Sequence, residues 1–239
     1  MASPLTAESF VERLKTLEQP GVLERYQKSF RLDAANELLG VPMGSVFVLA
    51  REFLEMPLDQ MERLLDSPLH HARVGAMSIM DKQARAKRTP EARRKELFDL
   101  YLRRIESINN WDLVDLAAPY VIGGHLADKP RAVLYDLARS PNTWARRTAI
   151  TATAYFLREG DLDDTFRLAE ILLHDAHDLV QKPVGSWLRE AGKQDEARLL
   201  TFLDRHAASM HRVTIRFAIE HLAKTQRVHY LGLKTGTKV

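Results

Sequence analysis

Trp111 and Asp115 are the residues of this sequence whose types and spacing could do chemistry. They lie in Asn109-Asn110-Trp111-Asp112-Leu113-Val114-Asp115. Residues four apart share one face of a helix, so an indole and a carboxylate would project side by side. A fixed carboxylate beside an aromatic face can stabilise positive charge that develops on a bound group. A purely structural reading stands next to this one: Trp111 in a core, Asp115 capping a neighbouring turn.

The other two tryptophans fall in segments that also carry charge. Trp144 precedes Arg146-Arg147, and Trp187 sits in Lys182-Pro183-Val184-Gly185-Ser186-Trp187-Leu188. Aromatics, one carboxylate and surrounding arginines suit a cationic or electron-poor sugar–base unit held against a phosphate backbone. A basic run from Lys82 to Arg104 is either a solvated helix face or a phosphate-binding surface. His174 and His177, with Asp175 and Asp178, have i, i+3 spacing at a helix boundary and read as a solvated turn, not a metal site. His70-His71 reads as an inter-helix turn. There is no Gly-x-Ser-x-Gly, no P-loop and no dinucleotide fingerprint. Cysteine is absent, which removes thiolate nucleophiles, disulfides and cysteine zinc sites.

The elements that must position these residues are helices. Apolar residues recur at three- and four-residue spacing, as in Leu97, Leu100, Tyr101, Ile105 and Ile108. Gly or Pro punctuates at short intervals, and no period-2 strand is visible. An internal repeat sets Ser67-Pro68 onto Ser140-Pro141 and Arg73 onto Arg146, an offset of 73; a further shift of 36 sets Arg146 onto Lys182. Self-similar helix pairs of this length predict an all-α solenoid of HEAT-like repeats with a concave basic face. Arg73, Arg146, Arg147 and Lys182 are expected along that face. The 239 residues are expected to form a single domain over 1–231, followed by a flexible basic tail at 232–239. A net charge of +3 permits a polyanion partner. No spanning helix and no signal peptide are seen, so a soluble, cytoplasmic, monomeric protein is expected, nucleoid-associated when bound to DNA.

From about Leu39 to Leu231 the chain resembles the HEAT-like-repeat DNA alkylpurine glycosylases, the AlkD-like family. The resemblance is carried by Asn109–Asp115, by Trp144-Ala145-Arg146-Arg147-Thr148-Ala149-Ile150, and by Asp178–Glu190. It implies hydrolysis of the N-glycosidic bond of cationic N3- or N7-alkylpurines in duplex DNA without metal or cofactor. It also implies roles: Asp115 faces the deoxyribose, Trp111 packs on the same sugar, and Arg147 contacts the backbone; the repeat register adds Arg146, Lys182 and Arg73 as expected DNA-binding residues, and Trp187 joins Asp115 and Trp111 as a candidate catalytic residue. The family's second groove tryptophan directly follows the glycine matching Gly185. Here Ser186 stands in that place and the indole is at Trp187, about 100° further round a helix. Two alternatives stay open: a non-catalytic relative that binds damaged or branched DNA, and a protein-binding scaffold of HEAT type.

Overall fold

The structure, a computed structural model, describes residues 4–29 and 36–233. Among them the chain is all-α: its one β feature is an isolated parallel bridge between Glu37 and Leu69. The helices group into two compact units, 1–125 and 126–239. The tail expected from 232 lies outside the described residues beyond 233, and Gly232 is the last residue of the terminal helix. No described helix is long and apolar enough to cross a membrane.

The first unit contains α1 (Ala7–Lys15), α2 (Val22–Ser29), α3 (Met43–Glu52), α4 (Leu58–Leu65), α5 (His70–Arg85), α6 (Glu91–Arg103) and α7 (Trp111–Ala117), which runs on into a π-helix at Ala118–Gly124. Its centre is α5, buried almost without interruption from His70 to Asp81. A helix apolar or small nearly all round belongs inside a bundle, and α3, α4, α7 and the π-helix all pack on this one. At Gly75 the backbone meets the ring of Phe10 on α1, where a Cβ would collide with it.

The basic run seen in the sequence belongs to this unit and is largely neutralised within it. Arg85 pairs with Asp81 through 2.8 Å contacts, and Arg103 and Arg104 both bind Glu62. Those two guanidiniums, Arg103 foremost, hold the Glu62 carboxyl down to about 2. Arg94 donates to the carbonyls of Ala86 and Thr89, closing the turn between α5 and α6. Arg88 and Lys95 of the run form exposed ion pairs with Glu55 and Asp99.

The second unit contains α8 (Ala132–Ala138), α9 (Thr143–Arg158), α10 (Asp163–Ile171), α11 (Asp178–Gln194), α12 (Glu196–His206), α13 (Arg212–Ala218) and α14 (Lys224–Gly232). Here α9 and α11 form the core. Arg131 ties α8 to α10 by 2.6 Å bonds to both Asp161 and Asp164, its guanidinium 3.7 Å from the centre of the Phe156 ring. α11 approaches α13 so closely at Gly185 that a Cβ would strike the Thr214 carbonyl oxygen and come within 2.6 Å of Phe217 Cβ.

Candidate functional site

In the first unit the candidate site is the start of α7. Asn110 caps it: its Oδ1 accepts the Trp111 N–H at 2.8 Å, satisfying one of the donors every helix start leaves over. Leu113 and Val114 face inward and are fully buried. The opposite face carries Trp111, 45% exposed, and Asp115, also exposed. The structural reading of Trp111 as core is therefore excluded by position. A large ring 45% exposed on the same helix face as an exposed carboxylate makes this face the candidate site.

The segment after α7 also bears on Asp115. Pro119 has no N–H, so it cannot supply the donor that an α-helix would give the carbonyl four residues back, and its ring crowds that carbonyl. That carbonyl is Asp115's. The backbone widens there into the π-helix Ala118–Gly124, a rare geometry that often lies at functional sites. Tyr120 on it is covered by the Arg85 guanidinium, 3.9 Å from the ring centre.

Behind α7 stands a buried polar layer. His70 and His71 are not an inter-helix turn; they are the first two residues of α5 and both are fully buried. His70 Nε2 lies 2.8 Å from Asp112 Oδ2. His71 Nδ1 accepts the Leu39 N–H at 3.3 Å, and its Nε2 lies 3.1 Å from the Val41 carbonyl. Burial, reinforced by the neighbouring His70 charge, pulls His71 down to about 4. Arg73 is buried too. It donates to the Ser67 carbonyl at 3.1 Å and to Asn36 Oδ1. Burial lowers its pKa, with the Asp112 charge opposing.

The second unit repeats one part of this arrangement. Arg146 donates to the Ser140 carbonyl at 2.9 Å and pairs with Asp175 at 2.5 Å. Ser67 and Ser140 each accept the N–H two residues on, at 3.2 and 3.1 Å. Asp175 does the same to His177 at 2.9 Å, and its carbonyl accepts from Gln181 Nε2 at 2.8 Å. So Ser67, Ser140 and Asp175 are equivalent, as are Arg73, Arg146 and Gln181. The offset of 73 holds; the second step is 35 residues, not 36, and it places Arg147, not Arg146, onto Lys182.

Arg147 is buried and donates to the Leu179 carbonyl at 2.5 Å. The reason is four residues downstream of that carbonyl. Pro183, inside α11, lacks the N–H that would have bonded Leu179, and the guanidinium takes its place. Lys182 is exposed and pairs with Asp178 at 2.7 Å, one turn away on the same helix. Ser186 and Trp187 are both half-buried. His174 and His177 lie exposed around a turn, as their spacing suggested, while Asp175 is engaged with Arg146.

A family model described as "DNA alkylation repair enzyme" matches residues 10–222 of the chain. Among solved structures, a predicted DNA alkylation repair enzyme from Enterococcus faecalis is similar with a TM-score of 0.63 and 15% sequence identity, over 87% of this chain and 97% of that one. No curated protein matches the chain.

Proposed function

The chain belongs to the DNA alkylation repair enzyme family, and on that premise we propose that it is a monofunctional glycosylase for cationic N3- and N7-alkylpurines in duplex DNA. Family membership supports a role in DNA repair; the chemistry is argued from the site. Alkylation at N3 or N7 leaves the purine positively charged and so a good leaving group. What remains for the protein is to stabilise the oxocarbenium-like sugar as the glycosidic bond breaks. Asp115 is proposed to face that developing charge, with the Trp111 indole packed on the same sugar. The carboxylate also orients the water that completes hydrolysis. The observation that carries the reading is the exposure of Trp111 and Asp115 together on one face of α7.

In the second unit, Lys182 is proposed as a direct phosphate contact, since its partner Asp178 is itself exposed and the pair can exchange for a phosphate. Arg147 acts by fixing the α11 segment that carries Lys182. Arg73 and Arg146 have their guanidiniums on internal acceptors and serve by holding the segments that lead into α5 and α9. Trp187 is proposed as a second aromatic contact.

Ser186, which stands where the resembling family has its second groove tryptophan, favours a second reading, in which DNA is bound but no base is released. Duplexes carrying N7-methylguanine or N3-methyladenine separate the two. Release of free base by the wild type and its loss in Asp115→Asn supports the glycosylase. Tight, salt-sensitive binding without release from either duplex establishes the binder instead.

A further inference from the structure

α7 has seven residues, too few to hold an orientation by themselves, so its direction is set by what it packs on. Leu113 and Val114 provide the apolar part of that packing. Its polar part includes the contact of His70 Nε2 with Asp112 Oδ2 at 2.8 Å, with the His70 side chain wholly enclosed and Asp112 17% exposed, and the Asp112 charge also acts on Arg73 of α5. The other carboxylate oxygen of Asp112 accepts the Leu113 N–H at 3.0 Å. Both oxygens are thus used, one on α5 and one on the first turn of α7.

Asp112 is one residue past Trp111 and three before Asp115. At about 100° per residue, fixing it fixes the azimuth of both exposed side chains. His70 is itself anchored: its backbone N–H donates to the Glu37 carbonyl at 2.9 Å, and its ring meets the His71 ring edge-on at 6.2 Å. The route from α5 to the exposed face of α7 therefore crosses between the two helices at the His70–Asp112 contact.

We propose that His70 is a positioning residue for the site on α7: through Asp112 it sets the rotation of that helix and hence the directions of Trp111 and Asp115. The consequence for catalysis rests on the glycosylase reading; the geometric part does not.

The test uses the full chain labelled with 5-fluorotryptophan, whose three ¹⁹F resonances are assigned by single Trp→Phe variants, together with single-turnover excision from an alkylated duplex. His70→Leu keeps apolar volume and removes the donor; His70→Gln restores a donor at nearly the reach of Nε2. In His70→Leu the Trp111 resonance should shift or broaden while those of Trp144 and Trp187 stay. Excision should slow by about 5- to 50-fold at unchanged duplex affinity, the size expected for a small misplacement of a reacting group. His70→Gln should return the Trp111 resonance to its wild-type position and most of the rate. A folded His70→Leu protein with an unmoved Trp111 resonance overturns the proposal. If that variant does not fold, Asp112→Ala decides in the same way, since it removes the acceptor that His70 Nε2 meets and puts no donor in its place. A wild type that excises nothing, with the Trp111 resonance still moving in His70→Leu, removes the glycosylase reading and leaves the positioning role standing.

Discussion

The starts of α5 and α9 are built to the same plan, yet they serve different ends. Each is preceded by Ser-Pro, each has a serine hydroxyl closing a turn, and each has an arginine six residues on that returns to the serine carbonyl. In the first unit the arginine ends on neutral Asn36, and the helix beside it, α7, turns an indole and a carboxylate outward. In the second it ends on the carboxylate of Asp175, and the neighbouring α11 is interrupted by a proline and stitched by a second arginine. The shared clasp fixes where helices begin. The proposed function rests on the departures from it, at Trp111 and Asp115 and around Pro183.

That comparison can be broken most forcefully at Arg146. Asp175 is nearly fully enclosed, so Arg146→Ala leaves a buried charge unpaired, which costs about 3–5 kcal/mol. Chemical denaturation would reveal it, and a loss under about 1 kcal/mol would mean the two clasps are ornamental. Asp115→Asn tests the catalytic side. Excision should fall by about 10- to 1000-fold, on the order of 1.4–4 kcal/mol, with fold and duplex affinity preserved; wild-type turnover in that variant would end the mechanism.

Smaller effects sharpen the contrast. Arg73→Ala removes bonds to neutral acceptors, so its destabilisation should be about 1–3 kcal/mol, below that of Arg146→Ala. The layer behind α7 should also respond to acid. His71 is held neutral by burial, with its pKa lowered from 6.5 to about 4. An unfolded chain takes up that proton below 6.5 while the folded one refuses it. The contribution is therefore whole above about pH 6.5 and is lost as pH falls towards about 4, by about 3 kcal/mol. Comparing wild type with His71→Gln across that window isolates it; identical acid limbs would exclude His71 as the cause. Gln181→Ala, where the clasp is a single amide hydrogen bond, should cost the least, about 0.5–1.5 kcal/mol in thermal or chemical unfolding.

Sequence patterning reveals the helical class and the first repeat step because Ser-Pro and Arg recur as the same residue types. It misplaces the second step by one. There Asp175 does the work of a serine and Gln181 that of an arginine, so the hydrogen bonds persist while the letters change. Trp111 and Asp115 are legible because their i, i+4 relation is local. His70 is not, since the carboxylate it meets is 42 residues away. Nor is the task of Arg147, whose partner is a backbone carbonyl, and a carbonyl has no signature in a sequence.

The Arg147–Leu179 bond makes Pro183 and Arg147 mutually dependent over evolutionary change. An alanine at 183 would restore the helical donor to the Leu179 carbonyl and relieve the arginine of its task. Losing the arginine first would leave that carbonyl without either donor. Substitutions at the two positions are thus expected to be non-additive, and the order in which they arise decides whether a lineage passes through an unstable intermediate. Charge at 147 can drift freely only after the proline has gone.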